Sequence, residues 1–192
     1  MSLRVLRAAD YRRERWKNGG GWTTELAAGR GVADAAFDWR ISIAEIDRDG
    51  AFSTFPGCDR QIALLDGPGM EIAFAEAEAI RLEQRLKFAA FAGEWNAHGR
   101  LLGGPVRDFN VIVRRAAFRA DVLHRPLVGP MVFLPERATW FVYLAAGQAE
   151  IKDADDTGIG PGESLLLEPG DAARNRVLSG GGEVVLVKLT AA

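Results

Sequence analysis

The sequence predicts an all-β fold in which one β-unit is used twice. Three observations carry this reading. Short apolar runs of strand length are separated along the whole chain by Gly-, Pro-, Asp- and Asn-rich turns, and 22 of the 192 residues are glycine, a punctuation that suits short strands and leaves little room for long helices. Residues Ile62-Ala63-Leu64-Leu65 through Glu71-Ile72 align without a gap on Phe141-Val142-Tyr143-Leu144 through Glu150-Ile151, an offset of 79 residues. A second pair, Phe91-Ala92-Gly93-Glu94 and Glu168-Pro169-Gly170-Asp171, follows in the same order at nearly the same offset, as an internal duplication would produce.

In chain order, Leu3-Arg4-Val5-Leu6 reads as a short strand. The segment Trp16-Lys17-Asn18-Gly19-Gly20-Gly21-Trp22-Thr23 places three glycines between two tryptophans, where the backbone can reach left-handed conformations and another group can approach closely. It is either a tight turn at Asn18-Gly19 between two strands or a ligand-facing loop. Phe37, Trp39, Ile41 and Ile43 alternate with Asp38, Arg40, Ser42 and Ala44, the period of a strand with one apolar face. Arg40 and Ser42 share the other face, for which the solvated outside is the expected side and a cavity the alternative. Gly50 to Ile72 reads as a strand, a turn at Asp66-Gly67 and a returning strand.

The segment Ala75 to Ala90 is rich in helix formers. The internal repeat, however, sets it against residues 152–167, where Asp155-Asp156-Thr157-Gly158 and Pro161-Gly162 break a helix; two strands and a turn are therefore expected. Residues Arg107 to Arg115 read as a strand with Asp108, Asn110, Ile112 and Arg114 on one face and Arg107, Phe109, Val111, Val113 and Arg115 on the other. Asp and Asn are poor strand formers, so a cap, a turn or a polar pocket must account for them. Thr139 to Leu144, Ser164 to Leu167 and Val184 to Val187 complete the strands, the last a run that suits burial on both faces.

Charge is balanced, with 24 Lys plus Arg against 26 Asp plus Glu, so no basic field gathers phosphates and nucleic acid is not expected as a partner. No apolar run approaches membrane-spanning length, and Asp10 and Glu14 interrupt the N-terminal arginines, so neither a membrane nor a targeting peptide is expected. Cytoplasmic residence is the expectation, and the single Cys58 excludes an internal disulfide.

Pro161-Gly162-Glu163 through Pro169-Gly170-Asp171 resembles the second cupin signature, and Gly50 with the following strand and the Asp66-Gly67 turn has the spacing of the first. More specifically, Trp16-Lys17-Asn18-Gly19-Gly20-Gly21, Phe52-Ser53-Thr54-Phe55-Pro56-Gly57-Cys58-Asp59-Arg60 and Gly104-Pro105-Val106-Arg107-Asp108-Phe109-Asn110 together resemble the HutD family, also called Ves. The resemblance implies cupin-type jelly-roll barrels, two in one chain: residues 1–110 with the Gly-rich segment, then residues 111–192, packed as one body with strand exchange left open. It also implies a role in bacterial histidine utilisation as a regulator or small-molecule binder. It brings no reaction with it.

Metal-holding cupins use two His and a Glu from the first signature and a His from the second. Here the corresponding positions are Pro56, Cys58, Ile62 or Ala63, and Ala173. No metal and no cofactor are expected, and His98 and His124 fall in apparent loops. Cys58 reads as a small buried hydrophobe rather than a nucleophile. Arg60, Arg107 and Arg40 offer forked, permanently charged donors for a carboxylate, while Asn18, Thr23, Asp108 and Asn110 suit amide and amine groups.

The expected ligand-binding set is therefore Asn18, Gly19, Gly20, Thr23, Arg40, Asp59, Arg60, Arg107, Asp108 and Asn110. Its ligand would be a small carboxylate metabolite such as formylglutamate or urocanate. Barrel-end salt bridges are the alternative for Asp59-Arg60 and Arg107-Asp108. Two other functions stay open: a cupin isomerase or hydrolase with Asp108 or Glu25 as acid-base group, and an interaction module without a small ligand. A homodimer is left open.

Overall fold

The computed structural model describes residues 1–29, 36–152, 157–170 and 174–192; Asp155, Asp156, Asp171 and Ala173 lie outside them. The described residues are almost entirely β, with one short 3-10 turn at Ala8–Asp10. The strands are β1 (Ser2–Leu6), β2 (Arg12–Arg15), β3 (Gly21–Gly29), β4 (Trp39–Ile46), β5 (Gly50–Ala51), β6 (Cys58–Asp66), β7 (Met70–Phe74) and β8 (Ile80–Leu82). They continue with β9 (Ala89–Ala92), β10 (Ala97–Leu101), β11 (Val106–Arg114), β12 (Phe118–Leu127), β13 (Met131–Phe133), β14 (Ala138–Lys152), β15 (Ser164–Glu168) and β16 (Arg176–Ala191). The helix-forming composition of residues 75–90 is overridden: β8 and β9 flank a turn in which Leu86 is buried with a φ of 57°. His98 and His124, expected in loops, stand on β10 and β12.

The chain divides into two compact units, a central one of residues 11–118 and a terminal one of residues 1–10 with 119–191. In the central unit, one sheet has the order β2-β3-β4-β11-β6-β9 and a second the order β5-β10-β7-β8. Their facing sides meet in a core of Ala44, Ile46, Ile62, Leu64 and Val106 from the first and Met70, Ile72, Leu82 and Ala97 from the second. Ile62, Met70 and Ile72 are wholly buried, each contributing about 1.5–3 kcal/mol of apolar burial. This is the inner side of an all-β unit of two facing sheets.

In the terminal unit a single sheet runs β1-β15-β14-β16-β12, with β13 also on β16. The first strand of the chain thus pairs with β15, Leu3 opposite Leu167 and Val5 opposite Leu165. The repeat identified in the sequence takes two forms. At Asp66-Gly67-Pro68-Gly69 the chain turns from β6 into β7, whereas at the matching residues 145–148 strand β14 does not stop but shifts register between Leu144 and Ala146. Gly147 there has a φ of 93°, and a Cβ would stand 1.9 Å from the Gly181 carbonyl oxygen. Bend and turn occupy the same place in the repeat. Gly147→Val is expected to destabilise the terminal unit by at least ~2 kcal/mol in urea unfolding, since both the backbone conformation and the space exclude a side chain.

Candidate functional site

The alternation of β4, β6 and β11 selects the polar residues that enter the central unit. Asp108 lies opposite Ala44 and Leu64, Asn110 opposite Ser42 and Ile62, and Ile112 opposite Arg40 and Arg60. Residues facing each other across antiparallel strands project from the same side. Arg40, Ser42, Arg60, Asp108 and Asn110 therefore share the face that carries the core residues Ala44, Ile62, Leu64 and Val106. Arg40 and Ser42, expected on the solvated outside, face inward, and Ser42 is buried. Both faces of β4 are apolar enough to be covered, so alternation alone did not say which was the interior.

Arg60 is the centre of the arrangement. It is 5% exposed, and its Nε and Nη2 donate to Asn110 Oδ1 at 2.8 and 2.6 Å. Asn110 Nδ2 in turn donates to Asp108 Oδ1. The guanidinium lies 4.6 Å from the Phe52 centroid and 5.3 Å from that of Phe91, a cation–π setting made stronger by burial. Gly99 permits it: a Cβ there would come within 2.8 Å of the Phe52 ring and 3.0 Å of the Met70 sulfur. Arg40 is flanked in the same way by Phe37 and Phe55 at 5.0 and 5.2 Å.

The network is incomplete. Arg60 spends two donors on a neutral amide, and among the described residues neither Arg40 Nε nor Asp108 Oδ2 has a hydrogen-bond partner. Burial pushes the Asp108 carboxyl up to about 7, against the pull of Arg60 and the Asn110 hydrogen bond. Burial also lowers the Arg60 guanidinium to about 10, with Asp108 raising it and Arg40 lowering it, so it stays charged at neutral pH. Arg40 is lowered by burial against the attraction of Glu25 and Cys58. Burial raises the Cys58 thiol, which disfavours the thiolate and fits an inert, packed side chain.

Of the remaining expected site residues, Thr23 shares this face and the others lie elsewhere. Asn18, Gly19 and Gly20 form the turn joining β2 to β3: Gly20 N donates to Asn18 Oδ1 at 2.9 Å, and Arg48 donates to the Gly19 carbonyl at 2.7 Å. Gly21 is required there, because a Cβ would sit 2.2 Å from the Glu45 carbonyl oxygen. Thr23 stands opposite Ala44 and accepts a hydrogen bond from the Trp16 indole at 2.8 Å. Asp59 is exposed and pairs with Arg115, which also pairs with Glu94. Arg107 is exposed and, by alternation, projects from the side of β11 opposite to Asp108, so it does not join Arg60.

The flanking phenylalanines were missed in the sequence, although Phe52 and Phe55 bracket Ser53-Thr54 within one of the family-like motifs. Arg115 binds exposed carboxylates, and such pairs add little; Arg115→Ala is expected to leave the melting midpoint essentially unmoved.

Among the described residues no group of three or more His, Cys, Asp or Glu side chains is placed to hold a metal ion. Pro56, Cys58 and Ile62, in the positions of metal-holding cupins, do not fit one. No helix of the described residues is long and apolar enough to cross a membrane. Two surface cavities are lined by neither Arg40 nor Arg60: one of about 300 Å³ along residues 80–89, and one of about 520 Å³ in the terminal unit, lined by Gln148, Glu150 and Ser179.

Comparison with known proteins agrees over nearly the whole chain. The HutD family model matches residues 8–186. An uncharacterized 21.2 kDa protein in the hutC 3′ region of Pseudomonas putida is 43% identical over 171 residues, 88% of each chain. Protein Ves of Cronobacter sakazakii is 34% identical over 140 residues, 72% of this chain and 74% of that one. The solved structure of HutD from Pseudomonas fluorescens SBW25, in a formate condition, superposes over all of both chains with a TM-score of 0.86 at 31% identity.

Proposed function

This chain belongs to the HutD family, linked to histidine utilisation, and we propose that it binds a small carboxylate metabolite of that pathway inside its central unit. Arg60 and Arg40 hold the anion, Asn110 sets the Arg60 fork, and Asp108 meets the ligand's second polar group. Formylglutamate and urocanate have the required carboxylates. Occupancy of this site would tune histidine utilisation. The two compact units are read as two cupin-type cups in one chain, of which the central one carries the site.

One observation supports this above the others: the unfinished polar network of two inward arginines and the Asp108 oxygen. A buried donor or acceptor without a partner costs about 1–3 kcal/mol, and a partly satisfied buried network is worse than an apolar core. An anion completes it. A carboxylate oxygen would accept from Arg40 Nε and from the free guanidinium edge of Arg60, and protonated Asp108 would donate to it. Because Phe52 and Phe91 cover Arg60, entry requires Phe52 to swing aside.

The test is a thermal-shift titration against histidine, urocanate, formylglutamate, formiminoglutamate and glutamate. A ligand at a hundred times its Kd adds about 2.7 kcal/mol to stability, a shift of several degrees. A flat response to all five would sink the proposal.

A second reading rests on Asp108 itself. A buried carboxyl titrating near neutral pH is suited to general acid-base chemistry, which would make the protein an isomerase or hydrolase of the same metabolites. Turnover lost in Asp108→Asn would establish that reading, and absence of turnover with intact binding would remove it.

A further inference from the structure

We propose that the protein forms a two-fold homodimer by antiparallel pairing of β12 with β12 of a second copy, the dyad passing through Leu123. Among the described residues the terminal sheet ends at this strand, which lies beyond β16 in the order. Strand β14 occupies one edge of β16 along most of its length, and β13 and β12 share the other. An exposed strand edge is a template for another strand.

Apolar exposure is concentrated at the same place. The exposed large hydrophobic side chains among the described residues are Leu123 at 39%, Val128 at 91%, Val132 at 53% and Leu134 at 61%. Leu123 stands on β12, Val128 in the connection to β13, Val132 on β13 and Leu134 one residue beyond it. Grouped exposure of this kind marks an interaction site, whereas scattered apolar residues do not.

The charges then select the partner and the register. Arg119, Asp121, Leu123 and Arg125 make up the exposed face of β12. Antiparallel partners that face each other share a side of the sheet, so a dyad between two residues would set this exposed face against the half-buried one. The dyad must pass through a residue. Through Leu123 it places Asp121 opposite Arg125 twice, with the two leucines meeting at the axis. Through Val122 it sets Arg119 against Arg125, like against like. Through His124 it sets Arg125 against Leu123 and Asp121 against Leu127, with no ion pair. A dyad through Ala120 also sets Arg119 against Asp121, but it pairs only the first half of the strand and puts Leu123 beyond its end. The Leu123 register alone uses the length of the strand and sets both opposite charges and exposed apolar side chains together, and a C2 interface must be complementary to itself. Pro126, with no N–H to give, closes the ladder at its end and keeps the pairing short.

Sedimentation equilibrium of the full chain tests this, with circular dichroism melts confirming that each variant is folded. Wild type is expected at twice the 20.8 kDa chain mass. Asp121→Arg and Arg125→Asp should each raise the dimer Kd by about tenfold or more, because each juxtaposes like charges across the dyad. An equimolar mixture of these two variants should recover the dimer, since only the mixed pair aligns opposite charges. Three results would overturn the proposal: a wild-type chain monomeric at ~100 µM, far above the Kd of even a weak specific interface; a dimer indifferent to both substitutions; or a mixture that stays monomeric.

Discussion

Arg60→Met is expected to lower affinity for the bound carboxylate by about 100-fold or more, read by calorimetric titration, since truncating one member of a desolvated charge contact costs ~2–5 kcal/mol. The fold should survive the change. Methionine keeps an unbranched stem beside Phe52 and Phe91 and adds favourable sulfur–aromatic contacts. Replacing a buried charge by an apolar side chain of similar length is often neutral for stability. Asp108, deprived of its nearby cation, takes up a proton instead of remaining as a bare buried charge. Arg107→Ala is the control, and affinity there should not change, because that side chain projects from the other side of β11. Equal losses in both variants would mean that the anion is held elsewhere.

The second large effect is the pH dependence carried by Asp108. Its carboxyl titrates near 7 in the folded protein against an ordinary value of 3.8, so between those values the folded state holds a proton that the unfolded chain has lost. Its contribution is favourable and complete below about pH 4 and is lost as pH rises towards 7, the sign expected when the native state binds more protons. At 1.36 kcal/mol for each pKa unit the full swing is up to ~4 kcal/mol. Asp108→Asn cannot titrate. Urea unfolding should find the variant more stable than wild type at pH 8 and little different at pH 4, with the difference opening through the window between. Carboxylate affinity should follow the same group: in wild type it falls from pH 6 to pH 8, as the Asp108 proton that faces the ligand is lost, and in Asp108→Asn it is flat. Parallel stability profiles for the two proteins would contradict the assignment.

Much of this was legible in the chain. Period-two alternation found β4 and β11, the repeat outweighed helix propensity over residues 75–90, and two poor strand formers at Asp108 and Asn110 pointed to a polar interior. Alternation had also set Arg107 on the opposite side from Asp108, and the grouping of both as ligand contacts ignored that separation. What local pattern cannot supply is which side of a strand is inward when both sides are covered; Ser42 and Ile41 are both buried. Nor can it supply pairings between distant segments, such as β1 on β15, or the rings that close over Arg60 from the 52–55 segment and β9. Those depend on how sheets meet. The family-like motifs held the clue, since Phe52 to Arg60 includes both the cation and one of the rings that cover it.

The most direct measurement is a crystal structure of the protein with the carboxylate that gives the largest thermal shift. The carboxylate is expected within hydrogen-bond distance of Arg60 and Arg40, with Phe52 rotated off the guanidinium and the second polar group of the ligand against Asp108. A ligand bound in the groove of residues 80–89 or in the terminal unit, with Arg60 still covered by Phe52, would contradict that placement.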